Sequence, residues 1–168
     1  MTEENDNHKD VFAHFGLAAY YAQCFEMELK NIFMLSIRAN HHVLPPDFFD
    51  QCGATLDKQN LGTLVRDIRK VVSFDEGSAS ALDTALHNRN RLMHGFYERH
   101  TTDMLSHHGR ISAIAELEAY TKSFKIADAV GRSVSGALCK VLGISEQLLE
   151  TELEKMNQQA SSSEPGNA

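Results

Sequence analysis

Apolar residues recur at three- and four-residue spacing along most of this chain, a pattern typical of amphipathic helices. The longest such stretch, residues 11 to about 39, predicts the first helix, with Asp10 as its N-cap. Its apolar positions cover more than one face. We therefore expect this helix to be central in a bundle or shared with a second subunit. A second helix is predicted from about residue 61 to residue 72.

Two more long helices are predicted in the second half of the chain. A connection rich in Gly and Ser, residues 74–80, precedes a central helix that extends to about Tyr97. Residues 101–109 interrupt the apolar pattern, which resumes from residue 110 to residue 142. Within that stretch Ala127, Gly131 and Ser135 form a row of small residues, which predicts that another helix approaches closely there.

The end of the chain predicts a short helix followed by a tail. Gly143 is typical of a helix stop, and Ser145 is a suitable N-cap for the helix that follows. Residues 158–168 have low hydrophobicity and are predicted to be disordered. Because no stretch alternates as a strand does, the sequence predicts an all-α bundle of about four to five helices. The expected organisation is one domain at residues 8–156 and a disordered tail at 157–168.

Composition narrows the class of protein. With 168 residues, 42% hydrophobic and 23% charged, the chain is expected to form one soluble globular domain. No apolar run is long enough to span a bilayer, and the first ten residues are polar, so we expect a cytoplasmic protein that does not enter a membrane. The formal charge of −7 argues against a protein that coats nucleic acid with a basic surface. Cys24, Cys52 and Cys139 are predicted to be buried reduced thiols.

The central helix concentrates polar side chains that could perform chemistry. On an ideal helix its apolar face carries Leu82, Leu86, Met93 and Phe96. One border of that face carries Asp83, His87, Asn90 and His94. Arg89 is expected on the opposite border, roughly 140° from His94. The two side chains meet only if the helix is irregular near Gly95 or if the long guanidinium reaches across.

The stretch Arg89-Asn90-Arg91-Leu92-Met93-His94 resembles the signature of the HEPN superfamily, in which an Arg is followed by a polar residue and, after a spacer of about four to six positions, by a His. Many members are metal-independent ribonucleases, including toxins and phage-defence enzymes, and others are non-catalytic. The resemblance implies an HEPN-like helical fold, RNA as the substrate and no cofactor or metal. It also implies a homodimer whose two motifs face a shared groove.

The resemblance also implies roles for individual residues. His94 would perform general acid/base catalysis, and Arg89 would stabilise the charge that builds on the phosphate in the transition state. Asn90, one helical turn before His94, would orient the phosphate or the imidazole. Arg91 and Tyr97 are candidates for substrate binding. RNA is the expected substrate because its 2′-hydroxyl can attack the neighbouring phosphodiester.

One departure from the family concerns its regulation. A branch that pairs with a nucleotidyltransferase antitoxin carries a Tyr two residues after the motif His, and modification of that Tyr blocks activity. Here Phe96 holds that place and Tyr97 follows it. An antitoxin partner therefore stays an open expectation, and Tyr97 is alternatively an aromatic residue at the edge of the core.

Three other interpretations compete with catalysis. In the first, Arg89, Asn90 and His94 only connect the helix to its neighbours. In the second, the protein is a non-catalytic helical dimer that serves as an adaptor or regulator. In the third, a metal binds on the border formed by Asp83, His87, Asn90 and His94, which share one ridge of the helix.

Overall fold

The computed structural model describes residues 3–40, 56 and 60–162. Five α-helices lie in these parts of the chain: α1 (Glu3–Asn40), α2 (Leu61–Ile68), α3 (Glu76–Arg99), α4 (His107–Val141) and α5 (Glu146–Ser162). A single 3-10 turn, Asp103–Leu105, joins α3 to α4. The same residues contain no strand. The prediction of an all-α bundle of about four to five helices is confirmed.

The helices α1 and α4 pair in parallel and form the main axis of the bundle. Near their starts His14 Nε2 lies 3.4 Å from Glu118 Oε1, and near their ends Ser135 Oγ donates to Glu28 Oε1 at 2.5 Å. Helix α1 also contacts α2 and α3, in agreement with its predicted central position. The core between these helices includes Phe25, Leu29, Ile32, Leu64, Ile68, Leu82, Leu92, Phe96, Leu117 and Phe124.

Side-chain caps define where several helices begin. Asp75 Oδ1 accepts from Ser78 N at 3.0 Å, so α3 begins at Glu76 and the predicted connection over residues 74–80 is mostly helical. Ser106 caps α4 in the same way, which brings its start forward to His107. Helix α1 begins at Glu3 and contains Asp10 in its interior, so the prediction that Asp10 is the N-cap was wrong.

The buried stripe of α3 differs from the predicted one. It consists of Leu82, Ala85, Leu92 and Phe96. Met93 was predicted to face the core but is 45% exposed. On an ideal helix the mean direction of the observed stripe is rotated by roughly 50° from that of the predicted one. Arg89 therefore lies within the buried stripe, facing α1, and not on its border.

The small residues of α4 are used within the chain. A Cβ atom at Gly131 would lie 2.6 Å from Glu28 Cγ, so α1 and α4 approach closely at this position. The predicted close approach is confirmed, and its partner is the chain's own α1. This row of small residues is therefore not available to a second subunit.

The last helix is longer than predicted. Gly143 has a φ of 70° and ends the α4 segment, and Ser145 Oγ accepts from Leu148 N at 3.2 Å, as expected for a stop and an N-cap. Helix α5 then continues to Ser162, so the prediction of disorder was wrong for residues 158–162. Residues 163–168 of the predicted tail lie outside the described residues. All residues of α5 from 146 to 159 are exposed.

The three cysteines were predicted to be buried reduced thiols. Cys24 and Cys139 are free thiols, half-buried and not fully buried, whereas Cys52 lies outside the described residues. Among the helices described, none has the length and apolar character needed to cross a membrane.

Candidate active site

A pocket of about 440 Å³ lies where α1, α2 and α3 meet. Its lining includes three residues of the sequence motif, Arg89, Asn90 and His94. Helix α1 and the start of α2 supply most of the rest: Glu26, Lys30, Leu56, Asn60, Leu61, Gly62 and Leu64. The motif therefore faces a concave site built by three helices, as expected of a functional site.

Arg89 is held in place by a carboxylate on α1. Its Nε atom donates to Glu26 Oε1 at 2.5 Å, and the two side chains are only 22% and 25% exposed. The Nη1 atom of Arg89 donates to Asn90 Oδ1 and to His94 Nε2, both at 3.4 Å. Within the described residues Nη2 makes no hydrogen bond. The guanidinium is thus anchored at one edge and directs its other edge into the pocket.

The contact between Arg89 and His94 is made by the side chains and not by a distortion of the backbone. Helix α3 is continuous through Gly95, so the two Cα atoms keep their separation of roughly 140° around the helix axis. The long guanidinium crosses this gap to reach the imidazole. The sequence allowed either an irregular helix near Gly95 or a guanidinium that reaches across, and the structure shows the second.

His94 has the properties of a proton acceptor in this arrangement. It is exposed to solvent on the rim of the pocket. Because Arg89 Nη1 can only donate, His94 Nε2 is the acceptor of this contact. A neutral imidazole beside a fixed cation can take a proton from a substrate hydroxyl while the cation binds an anion.

Arg91 and Tyr97 do not line this pocket. Arg91 turns toward α4, where its Nε donates to the Tyr120 hydroxyl at 3.0 Å. Tyr97 packs on the rings of Phe12 and Phe15, at centroid distances of 6.2 and 5.0 Å. Burial raises the pKa of Tyr97 above its usual range. The structure thus brings together three of the five candidate residues and places Tyr97 as an aromatic at the edge of the core.

The pocket contains residues that the sequence pattern did not single out. Glu26 and Lys30 lie one turn apart on α1, where they interrupt an otherwise apolar stretch. Asn60 caps α2 by accepting from Thr63 N at 2.8 Å, and the first residues of α2 line the pocket beside it. The amino end of a helix carries a partial positive charge. The charged residues Glu26 and Lys30, which interrupt the apolar pattern of α1, were the one sequence signal that could have pointed to this part of the pocket.

The border proposed for a metal is not assembled as a site. Asp83 pairs with Arg69, the residue just after the end of α2, with Oδ1 2.9 Å from Nη2. Only Asn90 and His94 of that border line the pocket. Over residues 3–40, 56 and 60–162, no group of three or more His, Cys, Asp or Glu side chains is arranged to hold a metal ion. The metal interpretation therefore has no geometric support in these residues.

A second ionic cluster connects the end of α3 to α4, outside the pocket. His100 is buried, and its Nδ1 and Nε2 atoms lie 2.7 Å from Asp103 Oδ2 and 2.6 Å from Glu116 Oε2. Burial alone would raise the pKa of Glu116, but hydrogen bonds from Tyr120, His100 and Arg99 outweigh it and lower this pKa to about 2. Every member is engaged with another member, so the cluster fixes the α3–α4 connection.

The fold and the pocket together define an all-α protein with an arginine–histidine pair at a three-helix junction. Comparison of the chain with protein-family models, with curated proteins and with solved structures finds no match. A functional assignment must therefore rest on the chemistry of the pocket itself.

Proposed function

We propose that this protein is a metal-independent endoribonuclease of the HEPN type, which cleaves RNA by attack of the 2′-hydroxyl on the neighbouring phosphodiester. The observation that carries the proposal is the 3.4 Å contact between Arg89 Nη1 and His94 Nε2 at the rim of a pocket. It combines an anion-binding group and a proton acceptor at one point, which is the minimum set for this reaction.

The reaction would begin when a substrate phosphate enters the pocket and competes for Arg89. Its oxygens would accept from Nη1 and Nη2 of the guanidinium, and the loss of the Nη1 contact would free the lone pair on His94 Nε2. That nitrogen would take the proton of the 2′-hydroxyl as its oxygen attacks phosphorus. The bond from phosphorus to the 5′-oxygen breaks, and that oxygen takes a proton from the imidazolium. The products are a 2′,3′-cyclic phosphate and a 5′-hydroxyl.

The surroundings of the pair favour an anionic substrate locally. Glu26 fixes Arg89 through Nε, and Nη1 of the same guanidinium contacts Asn90 and His94 at the pocket. Lys30 and the amino end of α2 lie in the same pocket. They supply positive potential at one place on a chain whose formal charge is −7. This fits an enzyme that binds a short stretch of RNA and not one that coats nucleic acid.

The proposal includes the partners that the family implies, with one restriction. It includes a homodimer, a role as a toxin or phage-defence component, and an antitoxin partner. It does not include control by modification of a Tyr two residues after the motif His, because Phe96 holds that place and is buried. Tyr97 packs against Phe12 and Phe15 and offers no substitute at the pocket.

The direct test is cleavage of mixed RNA by purified protein in excess chelator. Wild type is expected to cleave, and His94→Ala is expected to be inactive. His87→Ala is the matched control, because His87 is an exposed histidine of the same helix that does not line the pocket. It should retain full activity. If wild type cleaves no RNA, the proposal fails and the non-catalytic adaptor becomes the better account.

A further inference from the structure

The largest side chain that the described residues bury completely belongs to Arg110, which lies in the first turns of α4 and is 1% exposed. An arginine stays positively charged even where it is buried. Burying a charge costs free energy unless the charge is paired and hydrogen-bonded. The partners of Arg110 therefore show whether its charge is balanced within the chain.

Only one of the three guanidinium nitrogens of Arg110 makes hydrogen bonds. Nη1 donates to the carbonyl oxygen of Met104 at 3.0 Å and to His8 Nε2 at 3.4 Å. Nε and Nη2 are buried and have no hydrogen-bond partner among the described residues. A carbonyl oxygen and an accepting imidazole nitrogen carry no negative charge. The described residues thus leave the guanidinium without an anionic partner.

The acidic side chains nearest to Arg110 along the chain are engaged elsewhere. Asp103, in the turn before α4, lies with Oδ2 2.7 Å from His100 Nδ1. Glu116, further along α4, lies with Oε2 2.6 Å from His100 Nε2. Both carboxylates are therefore held in the ionic cluster around His100, and neither balances the charge of Arg110.

The two nitrogens without partners form one edge of the guanidinium plane. The N–H of Nε and one N–H of Nη2 point in the same direction, and this edge binds two oxygens of a carboxylate or phosphate through parallel hydrogen bonds. Arg110 is the fourth residue of α4, and the side chains of a helix lean toward its amino end, where the helix carries a partial positive charge. An oxyanion has the shape and the charge that this place lacks.

We propose that the Nε–Nη2 edge of Arg110 binds a small free oxyanion where the start of α1, the 3-10 turn and the start of α4 meet. His8 of α1 and Met104 of the turn hold the guanidinium through Nη1, and the ion accepts from Nε and Nη2. The negative charge of the ion balances the buried cation. The bound ion therefore fastens the start of α1 to α4.

The ligand is a free ion and not a group within a polymer. Because both nitrogens are closed off from solvent, the ion enters when the contact between His8 and Arg110 opens and is enclosed when that contact forms again. A phosphate of an RNA strand carries a nucleoside on each side, and these cannot be enclosed with it. Neither His8 nor Arg110 lines the Arg89 pocket. The inference therefore does not depend on the proposed ribonuclease activity, and either can fail alone.

The first experiment titrates the full chain with inorganic phosphate by isothermal calorimetry at constant ionic strength. Wild type is expected to bind. Arg110→Lys keeps the charge but replaces the two-nitrogen edge by one ammonium group, and it should weaken this binding about tenfold or more. Arg66→Lys is the matched control, because the side chain of Arg66 is 68% exposed, and it should bind like wild type. Wild type that binds no phosphate, or Arg110→Lys that binds like wild type, overturns the proposal.

Two further titrations identify the site and the source of the anion. Arg89→Lys should keep the phosphate binding that depends on Arg110, because Arg89 lies in a different pocket. In that variant a 2′-deoxy dinucleotide, which presents one phosphate between two nucleosides, should not compete with phosphate. Loss of all phosphate binding in Arg89→Lys would place the ion in the Arg89 pocket and refute the proposal. Competition by the dinucleotide would show that the ligand is not restricted to a free ion, and the proposal would be wrong.

The last experiment measures the effect of the ion on folding by chemical denaturation with and without phosphate. At a phosphate concentration about ten times the dissociation constant, the folding equilibrium constant of wild type should rise about tenfold. Arg110→Met has no buried charge to balance, so it should gain only the general effect of phosphate on folded proteins, which Arg66→Met measures. A gain in Arg110→Met equal to that of wild type would contradict the proposed site.

Discussion

Arg89 Nη1 donates to His94 Nε2 at 3.4 Å although the two residues lie roughly 140° apart around α3. The contact is possible because Arg89 projects from the buried stripe and Glu26 holds its Nε atom from α1. The Nη1 atom of the guanidinium also donates to Asn90 Oδ1 at 3.4 Å. This relationship makes Glu26 a positioning residue for the pair that we propose to be catalytic.

Glu26→Gln is expected to lower kcat for RNA cleavage by about ten- to a hundredfold with little change in KM. A displaced Arg89 guanidinium still binds the substrate phosphate, but it stabilises the transition state less well than the guanidinium of the wild type. Glu26→Asp should recover part of the loss. Steady-state kinetics on a short RNA measures both.

The control for Glu26 is Glu28→Gln. Glu28 lies two residues further along α1 and accepts from Ser135 on α4, and it does not line the pocket. Its replacement removes the same charge from the same helix and should leave kcat within about twofold of wild type. Equal losses in the two variants would mean that Glu26 acts through general stability or net charge and not through Arg89.

Replacing Arg89 and replacing His94 by alanine are expected to change the free energy of unfolding by different amounts. His94 is exposed, so His94→Ala should leave the melting temperature nearly unchanged. Arg89→Ala leaves the half-buried Glu26 carboxylate without its partner and should lower the free energy of unfolding by about 1–2 kcal/mol. Chemical denaturation of both variants measures the difference. Equal destabilisation by the two would indicate that His94 is a structural residue.

Glu116 should make the protein sensitive to acid. Its pKa is lowered from an ordinary value of 4.5 to about 2, so the carboxylate stabilises the fold above pH 4.5 and loses this effect as the pH falls toward 2. Allowing for its partial exposure, Glu116→Gln should cost about 1–2 kcal/mol at pH 7 and flatten the decline in stability between pH 4.5 and 2.

Denaturation curves at several pH values test this effect, with Glu118→Gln as the control. Glu118 is on the same helix, and its side chain is 64% exposed. That variant should follow the wild-type pH dependence. An unchanged acid transition in Glu116→Gln would show that the ionic cluster does not stabilise the fold through this carboxylate.

Gly109→Ala and Gly136→Ala should have opposite effects on stability. A Cβ atom at Gly109 would collide with the backbone of Asp103, which cannot move without disrupting the turn, so about 2 kcal/mol or more should be lost. At Gly136 nothing lies within 4 Å, and alanine should stabilise α4 by about 0.5–1 kcal/mol. Thermal melting of both variants measures the two effects. A lower melting temperature for Gly136→Ala would contradict the open space around Gly136 on α4.

The fold class could be predicted because the three- and four-residue spacing extends through every long helix. The first residue of each helix was harder to predict, because an N-cap is a single local contact in a polar stretch. Asp75 begins α3 by accepting from Ser78 N, but the Gly and Ser residues around it resemble a loop by composition. Asp10 suits an N-cap by residue type, yet α1 begins seven residues before it.

The candidate site could be predicted only as far as it lies on one helix. Arg89, Asn90 and His94 are close in sequence and share the pocket. Glu26 is 63 residues from Arg89, and its contact depends on how α1 packs against α3. Periodicity cannot supply that packing, nor could it show that Met93 is exposed while Leu92 is buried. On an ideal helix Arg89 lies between Leu82 and Phe96, within the buried stripe.

The most direct measurement of the central claim is end-group analysis of RNA cut in excess chelator, with a matched substrate that carries a 2′-deoxy sugar at the cleavage position. If Arg89 and His94 act as proposed, wild type leaves a 2′,3′-cyclic phosphate or its opened monophosphate on the upstream fragment, and the deoxy substrate resists completely. Cleavage of the deoxy substrate, or activity that chelator abolishes and a divalent ion restores, would contradict the account.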